Sequence, residues 1–284
     1  MSTVRHIAKT VAGQRAIDGA GVRLIRVIGH NDVKEFDPFL LLDAFDATDP
    51  KDYIKGFPWH PHRGIETFTY LVEGKIEHGD SLGNKGVILN GQAQWMTAGS
   101  GIIHQEMPKP SEHMLGLQLW INLPRAQKMC DPIYRDLTHE TMLEIEGDKN
   151  TVRLIAGEYE GRQVGVNQSK VDVRFMDIKM DEGGKLALSL PSDHTLFLYV
   201  YYGKLEIGKQ EVPQRHAVKL TEGDEVIIHA KEPSRFMWLE GKPLKEPIAW
   251  GGPIVMNTQE ELQHAFDEID EGTFLKHTSS IKQE

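Results

Sequence analysis

Apolar and polar residues alternate over short runs through the first half of the chain. The alternation is clean in residues 115–123, and a continuous apolar run follows Pro38. Glycine turns separate these runs at a spacing of roughly 8–12 residues, and helical periodicity is nearly absent, which together indicate an all-β sandwich or barrel. The pattern predicts strands at residues 22–28, 39–45, 67–72, 75–79, 87–90, 94–98 and 115–123, with 67–72 and 75–79 joined as a hairpin at Glu73-Gly74.

The second half of the chain repeats the first faintly. Residues 70–79 and 199–208 are identical at five of ten positions, and residues 96–99 line up with residues 220–223. Such internal similarity is expected of two diverged copies of one β-barrel unit. We therefore predict two domains, residues 1–135 and residues 136–284.

The tail of the chain carries the one clear helical pattern. Thr258 is placed as an N-cap and Glu261 follows three residues later, which is the spacing of a capping box. Gly272 is well placed to end the helix. Four residues form an apolar stripe at helical spacing, namely Leu262, Ala265, Phe266 and Ile269. The pattern predicts a packing helix at the end of the second domain.

Composition and charge exclude several classes of function. The 284-residue chain has a formal net charge of −10, and an acidic surface repels phosphate backbones, so direct nucleic-acid binding is not expected. The sequence contains no run of roughly 18 apolar residues, so it predicts no membrane helix. The N-terminal residues lack the apolar core of a secretory signal, and the single cysteine, Cys130, is interpreted as a structural thiol. We expect a cytoplasmic protein, or a nuclear one in a eukaryote.

Two pairs of potential metal ligands stand out in residues 57–108. His60 and His62 form one pair, and His104 and Glu106 form the other, with one residue between the members of each pair. Side chains two apart on a strand point to the same face, so each pair can converge on one point. Imidazole suits Fe, Zn, Cu and Ni, and a carboxylate adds a hard oxygen. Glu66 is an alternative carboxylate, because it also lies an even number of residues from His62.

The second copy lacks these ligands. His60 and His62 align with Ser189 and Pro191, whereas His104 and Glu106 align with Ile228 and Ala230. His229 is one residue out of phase and would point to the opposite face. We therefore predict one metal site per chain, in the first domain. Among the remaining histidines, His78 and His113 are candidates for the rim of the site.

Three motifs together resemble the pirin family of the cupin superfamily: residues 60–67 (HPHRGIET), 96–108 (MTAGSGIIHQEMP) and 37–43 (DPFLLLD). Residues 252–258 (GPIVMNT), followed by the helix, are similar to the pirin C-terminal domain, so the resemblance extends from about residue 20 to about residue 275. It implies two cupin (jelly-roll) β-barrels with a short C-terminal helix. It also implies one Fe²⁺ per chain, bound by His60, His62, His104 and Glu106, with Glu66 in a supporting role.

The resemblance implies an activity as well. Several pirins are dioxygenases that cleave flavonols such as quercetin with O2, and Glu106 would then act both as a ligand and as the base that deprotonates the substrate. An alternative is a redox-sensing iron protein that regulates a protein partner, either a transcription factor or a metabolic enzyme. A third hypothesis is a cupin that acts on a different small molecule. The enzyme ranks first because the metal ligands are readable in the sequence and a partner surface is not.

Overall fold

The computed structural model describes residues 2–164 and 169–277 and consists mainly of antiparallel strands. The all-β prediction is confirmed. Neither helix in these ranges is long and apolar enough to span a bilayer. The first part of the chain contains β1 (Ile7–Val11), β2 (Gln14–Asp18), β3 (Val22–Ile28), α1 (Val33–Phe36), β4 (Phe39–Ala47), β5 (Phe57–His62), β6 (Ile65–Glu73), β7 (Ile76–Asp80), β8 (Lys85–Ile88), β9 (Ala93–Thr97), β10 (Ile102–Pro108), β11 (Met114–Asn122) and β12 (Ile133–Leu137).

The remaining elements follow the same style of short strands and tight turns. They are β13 (Leu143–Gly147), β14 (Asn150–Tyr159), β15 (Arg162–Val164), β16 (Val173–Met180), β17 (Lys185–Ser189), β18 (Thr195–Tyr202), β19 (Leu205–Ile207), β20 (Gln210–Val212), β21 (Ala217–Leu220), β22 (Glu225–Ala230), β23 (Ser234–Gly241), β24 (Ala249–Gly251), β25 (Ile254–Met256) and α2 (Gln259–Asp270).

The chain forms two compact units, each with a large and a small sheet. The first barrel unit comprises Arg15–Val33, Phe39–Thr138 and the chain from Leu244 onward. Its sheets have the orders β12-β9-β6-β11-β4-β3-β2 and β5-β10-β7-β8. The second barrel unit comprises the chain up to Gln14, Lys34–Pro38 and His139–Pro243. Its sheets have the orders β1-β21-β18-β23-β16-β14-β13, with β15 beside β14, and β17-β22-β19-β20.

The two units differ from the predicted domains at both ends of the chain. Strand β1 pairs with β21, so the N-terminal residues belong to the second barrel unit rather than the first. Helix α2 packs on β24 and β25 through Leu262 and Ala265, which places it in the first barrel unit. Strand β1 pairs with a strand far away in sequence, and the hairpin under α2 is joined to the first barrel unit by a bridge between Ile254 and Arg63. Local hydrophobic patterns carry no information about such partners.

The predicted hairpin at Glu73-Gly74 is wrong. Strand β6 pairs with β9 and β11, whereas β7 pairs with β8 and β10, so the two strands enter different sheets. Gly74 turns the chain with a φ of +122°, a conformation that other residues rarely adopt. A tight turn between two strands is therefore used here at the corner of a barrel, where one sheet ends and the other begins.

The predicted C-terminal helix is confirmed. Helix α2 begins after Thr258, whose hydroxyl accepts a hydrogen bond from the Glu261 amide, and the Glu261 carboxylate accepts one from the Thr258 amide. This reciprocal capping box satisfies two amides that would otherwise lack a partner. The apolar stripe contacts Ala249, Ile254 and Met256 of the β24–β25 hairpin.

Candidate metal centre

Three histidines meet inside the first barrel unit. His60 and His62 lie on β5, and His104 lies on β10, directly opposite His60 in the antiparallel register. Their ligand atoms all lie within 4.8 Å of one another, and the Nε2 atoms of His60 and His62 are 3.1 Å apart. His62 is 2 % exposed and His104 is fully buried, whereas His60 is half-buried and faces a cavity. The predicted spacing thus does bring the three imidazoles together.

Burial keeps the imidazoles of His62 and His104 uncharged. Loss of solvent, reinforced by the neighbouring His60, lowers the pKa of His62 to about 3. The pKa of His104 is also lowered well below its ordinary value, first by burial and then by the neighbouring histidines. Neutral imidazole is the form that binds metals, because a protonated ring has no lone pair to donate.

The hydrogen bonds of the rings direct their lone pairs toward one another. Nδ1 of His60 lies 2.8 Å from the Pro58 carbonyl oxygen, and Nδ1 of His62 lies 3.0 Å from the Pro253 carbonyl oxygen. A carbonyl oxygen only accepts, so in a neutral ring both Nδ1 atoms carry the proton and both Nε2 atoms carry a lone pair. Two lone pairs then face each other across 3.1 Å. Among the residues that the structure describes, neither nitrogen of the buried His104 has a hydrogen-bond partner. Such an arrangement fits a cation and is otherwise unfavourable.

Glu106 lies on β10, two residues beyond His104, and is 2 % exposed. Its Oε1 accepts a hydrogen bond from the Thr69 hydroxyl at 3.0 Å, and its Oε2 accepts one from the Gln118 amide at 2.6 Å. The group of ligand atoms within 4.8 Å of one another contains the three histidines and not Glu106. A role for Glu106 as fourth ligand therefore stays a prediction.

The alternative carboxylate, Glu66, lies on the other face of β6. Its Oε1 accepts a hydrogen bond at 2.7 Å from the hydroxyl of Thr97, its partner on β9. Thr69, which contacts Glu106, is three residues further along β6 and so points to the opposite face. Counting residues from His62 misjudges this orientation, because Gly64 adopts a φ of +76° and interrupts the strand between the two positions.

Arg63 fastens the segment that carries His62 to the C-terminal part of the unit. Its guanidinium is 1 % exposed and donates hydrogen bonds to the carbonyl oxygens of Ser100 and Phe274, at 2.8 and 2.9 Å. It also forms an ion pair with Glu268 at 2.6 Å and lies 4.3 Å from the centroid of the Phe274 ring. The segment that carries His62 is therefore anchored by helix α2 and the residues that follow it.

Lys128 is a second buried basic side chain in this part of the first barrel unit. Its Nζ donates to the carbonyl oxygens of Gly64 and Val255 and to Oδ1 of Asn122, at 2.8, 2.9 and 2.5 Å. Burial lowers the pKa of Lys128 to about 7. The side chain connects the turn after His62 to strand β25.

A cavity of about 580 Å³ opens onto His60 and His62. One wall is aromatic: Trp120 lies edge-on to His62 with ring centroids 4.9 Å apart, and Trp250 lies 5.8 Å from Trp120. His30 stacks on Trp250 with a centroid distance of 3.7 Å. The other wall is polar and contains Gln118, Asp43 and Arg26. The cavity can hold a flat aromatic molecule beside the histidines.

The other candidate residues fall into different places. His78 is buried rather than at the rim: its ring centroid lies 5.4 Å from that of His104, and its nitrogens contact Asp80 and Gln94. His113 contacts Asp46 and Glu73, and neither residue lines the cavity. Trp59 is 55 % exposed and lines the cavity.

Sequence reasoning missed Gln118, Asp43 and Trp250 as components of the site. The first two interrupt apolar runs on strands β11 and β4. A polar residue within a buried strand needs a partner, so this interruption was the available signal. Trp250 lies in a hairpin more than 180 residues from His62, and no pattern in the sequence connects the two.

Comparison with known proteins gives consistent matches over both units. The Pirin family profile matches residues 21–121, and the profile of the Pirin C-terminal cupin domain matches residues 175–275. A Pseudomonas aeruginosa protein described as "Putative quercetin 2,3-dioxygenase" is 42 % identical, covering 96 % of this chain and 99 % of its own. Pirin of Homo sapiens is 39 % identical, covering 93 % and 92 %. The crystal structure of quercetin 2,3-dioxygenase from Acinetobacter baumannii superposes with a TM-score of 0.89 at 30 % identity, covering 96 % and 99 %.

Proposed function

We propose that this chain, which belongs to the pirin family and has its two cupin domains, is a metal-dependent dioxygenase that cleaves flavonols such as quercetin with O2. The observation that carries the proposal is the convergence of three imidazoles beside a cavity with an aromatic wall. The names of the Pseudomonas and Acinetobacter proteins support the same reaction class.

The proposed cofactor is one Fe²⁺ per chain, held by His60, His62 and His104, with Glu106 as the fourth ligand. When bound, such an ion supplies Lewis acidity and one-electron chemistry with O2. Three imidazoles suit other divalent transition metals as well, so the metal bound in the cell depends on availability as much as on these side chains.

Glu106 is the proposed base for the substrate's 3-hydroxyl group. Hydrogen bonds from Thr69 and Gln118 occupy one lone pair on each of its oxygens and fix the orientation of the carboxylate. With one oxygen bound to the metal through its second lone pair, the other oxygen would keep a second lone pair that can accept the hydroxyl proton. The net reaction inserts both atoms of O2 into the flavonol and releases carbon monoxide, so it needs no external reductant.

The aromatic wall is proposed to orient the substrate and to exclude water. Trp120 and Trp250 both line the cavity, and a flat flavonol ring can stack or pack edge-on against such side chains. Contact with Trp120 places a substrate next to His62, because the two side chains already touch. Removal of water from this cavity also strengthens the hydrogen bonds that the polar wall makes to the substrate.

The test is anaerobic loading with Fe²⁺, followed by addition of O2 and quercetin. We expect the amount of quercetin consumed, measured by the loss of its absorbance, to equal the amount of carbon monoxide released. The His62→Ala, His104→Ala double variant should lose both metal and turnover. Turnover of the wild type no faster than that of this double variant would refute the enzymatic function.

The role of Glu106 is separated by the Glu106→Gln variant, with Glu77→Gln on the exposed surface as the matched control. If Glu106 is a base that metal binding does not require, Glu106→Gln should retain the metal and lose turnover. If Glu106 is a required ligand, the variant should lose both the metal and turnover. Turnover and metal content equal to those of the Glu77 control would remove Glu106 from the mechanism.

The alternative role as a redox-sensing regulator stays a prediction, as does the cytoplasmic location. A pull-down with the ferrous and ferric protein tests it, because a redox switch requires a partner that binds one form preferentially. A partner that binds the wild type and the His62→Ala, His104→Ala variant equally would contradict a metal-dependent switch.

A further inference from the structure

A row of polar side chains crosses the large sheet of the first barrel unit on its cavity face. Its members occupy directly opposed positions in successive strand pairs, so they share one face. The row runs from β6 through β11 and β4 to β3 and consists of Thr69, Gln118, Asp43 and Arg26. Neighbouring strands are about 4.8 Å apart, so the row extends roughly 14 Å. One end contacts Glu106, and the other end, Arg26, lines the cavity and is partly exposed.

The outer end of this row carries more negative than positive charge. Arg26 donates from Nε to Asp43 Oδ1 at 2.9 Å and from Nη2 to Asp43 Oδ2 at 2.8 Å. The same Nη2 donates to Asp18 Oδ2 at 2.6 Å. One guanidinium therefore serves two carboxylates. Burial raises the pKa of Asp43 to about 6 against the opposing effect of Arg26, so the carboxylate is ionised at pH 7.5.

Asp43 has capacity for another donor. Each of its oxygens accepts one N–H from Arg26, and a carboxylate oxygen has a second lone pair. Its side chain is nearly buried and lines the cavity beside Leu41, which lies two residues away on the same face of β4. A hydroxyl group brought to this position can donate to Asp43. An anionic group there would meet an excess of carboxylates in a poorly solvated place.

The aromatic and polar walls are adjacent through the same two strands. Gln118 and Trp120 lie two apart on one face of β11, opposite Asp43 and Leu41 of β4. Asp43 is the diagonal neighbour of Trp120, one strand across and two residues along, so it lies roughly 7–8 Å from the position of a ring that packs on Trp120 next to His62. This distance suits a hydroxyl group on the part of the substrate remote from the histidines.

We propose that Asp43, oriented by Arg26, is a specificity-determining residue that accepts a hydrogen bond from a remote phenolic hydroxyl of the substrate and excludes substrates that carry an anionic group there. The proposal rests on the proposed function and narrows its substrate class to neutral polyphenols. A purely structural role explains the buried ion pair of Asp43 and Arg26 less well than substrate recognition does, because a buried pair often adds little net stability over apolar side chains.

The test measures ligand affinity rather than turnover. Quenching of tryptophan fluorescence gives the Kd of the metal-free and of the anaerobic ferrous protein for three ligands: quercetin, 3-hydroxyflavone, which lacks the remote hydroxyls, and quercetin sulfonate, which is anionic. We expect the wild type to bind quercetin about tenfold or more tightly than either of the others, which is the effect of one charge-assisted hydrogen bond.

Asp43→Asn keeps the shape of the side chain and removes its charge. We expect this variant to reduce the preference for quercetin over 3-hydroxyflavone about tenfold and to gain affinity for the sulfonate. Asp52→Asn is the matched control, because Asp52 pairs with Arg23 outside the cavity at 2.9 Å. Equal discrimination by the Asp43 variant and this control would overturn the proposal.

The wild type alone also decides the proposal if Asp43→Asn fails to fold. Equal affinity for all three ligands would overturn it, whereas the expected order of affinities supports it. Binding with this order but without turnover would refute the proposed reaction and leave the role of Asp43 standing. Turnover without this order would leave the reaction standing and remove Asp43 as its specificity determinant. Absence of binding by all three ligands would overturn both.

Discussion

The ion pair between Arg63 and Glu268 provides a direct test of how the C-terminal segment supports the metal centre. Arg63 follows His62 in the sequence and is 1 % exposed, and Glu268 lies on helix α2. Glu268→Ala would leave the guanidinium buried, with the carbonyl oxygens of Ser100 and Phe274 as its remaining partners. We expect the first barrel unit to be destabilised and the segment bearing His62 to lose its fixed position.

The magnitude follows from the burial of the pair. Removing one partner of a buried ion pair typically costs about 3–5 kcal/mol, because the other charge stays buried without compensation. Arg63 keeps two carbonyl acceptors, and its contact with Glu268 is a close ion pair at 2.6 Å rather than an aligned hydrogen bond. We therefore expect the low end, about 3 kcal/mol for Glu268→Ala, and about 1 kcal/mol for Glu268→Gln, which keeps a neutral acceptor.

Urea unfolding monitored by tryptophan fluorescence measures this loss. Four of the five tryptophans lie in the first barrel unit, so the signal reports mainly on that unit. Metal affinity, measured by competition with a chelator, should fall in the same variants. His264→Ala is the matched control, since His264 contacts Glu268 from the same helix but is 70 % exposed. A change of less than about 0.5 kcal/mol for Glu268→Ala, equal to that of a surface substitution, would refute the reasoning.

Three further predictions concern the residues around the histidines. Gly64→Ala should lower the thermal midpoint far more than Gly272→Ala. Both glycines have positive φ, but only at Gly64 would a Cβ atom meet a backbone oxygen, that of Val255 at 1.9 Å. Equal losses in the two variants would contradict this prediction. Between about pH 7 and pH 10 the free energy of unfolding of the wild type should rise by on the order of 4 kcal/mol relative to that of Lys128→Met. The folded chain releases the Lys128 proton near pH 7, whereas the unfolded chain holds it to about pH 10.5. Parallel pH profiles of the two proteins would contradict this prediction. His104→Leu should leave the metal-free protein as stable as the wild type or more stable, since both ring nitrogens of His104 lack partners among the described residues. The same variant should abolish the stabilisation by added metal, which is about 2.7 kcal/mol for the wild type at a hundredfold excess over Kd. Calorimetry with and without metal measures both effects.

Local pattern was sufficient for the histidine cluster. The two-residue period of a strand places His60 with His62 and sets His104 on the matching face, and the structure brings all three together. The same rule was insufficient for Glu66, because the positive φ of Gly64 resets the phase between His62 and strand β6. A periodicity argument therefore holds within one strand and fails across a turn.

Strand register and distant partners were beyond the reach of the sequence. Asp43 and Gln118 are visible only as polar interruptions of apolar runs, and their relation to Glu106 exists because three strands align in one register. The Pro253 carbonyl that orients His62 comes from a hairpin that follows the whole second barrel unit in the chain. Such pairings depend on the total packing of the fold rather than on any local propensity.

The second barrel unit has apolar side chains at the positions that align with His104 and Glu106. Ile228 and Ala230, which align with His104 and Glu106, are buried in an apolar core together with Trp238. Apolar packing at these positions therefore suffices to stabilise a barrel of this kind. In the first barrel unit the same positions hold an imidazole without hydrogen-bond partners and a carboxylate held by two donors. Buried polar groups of this kind cost stability, so the stability of the fold does not account for their presence, whereas the proposed metal site does.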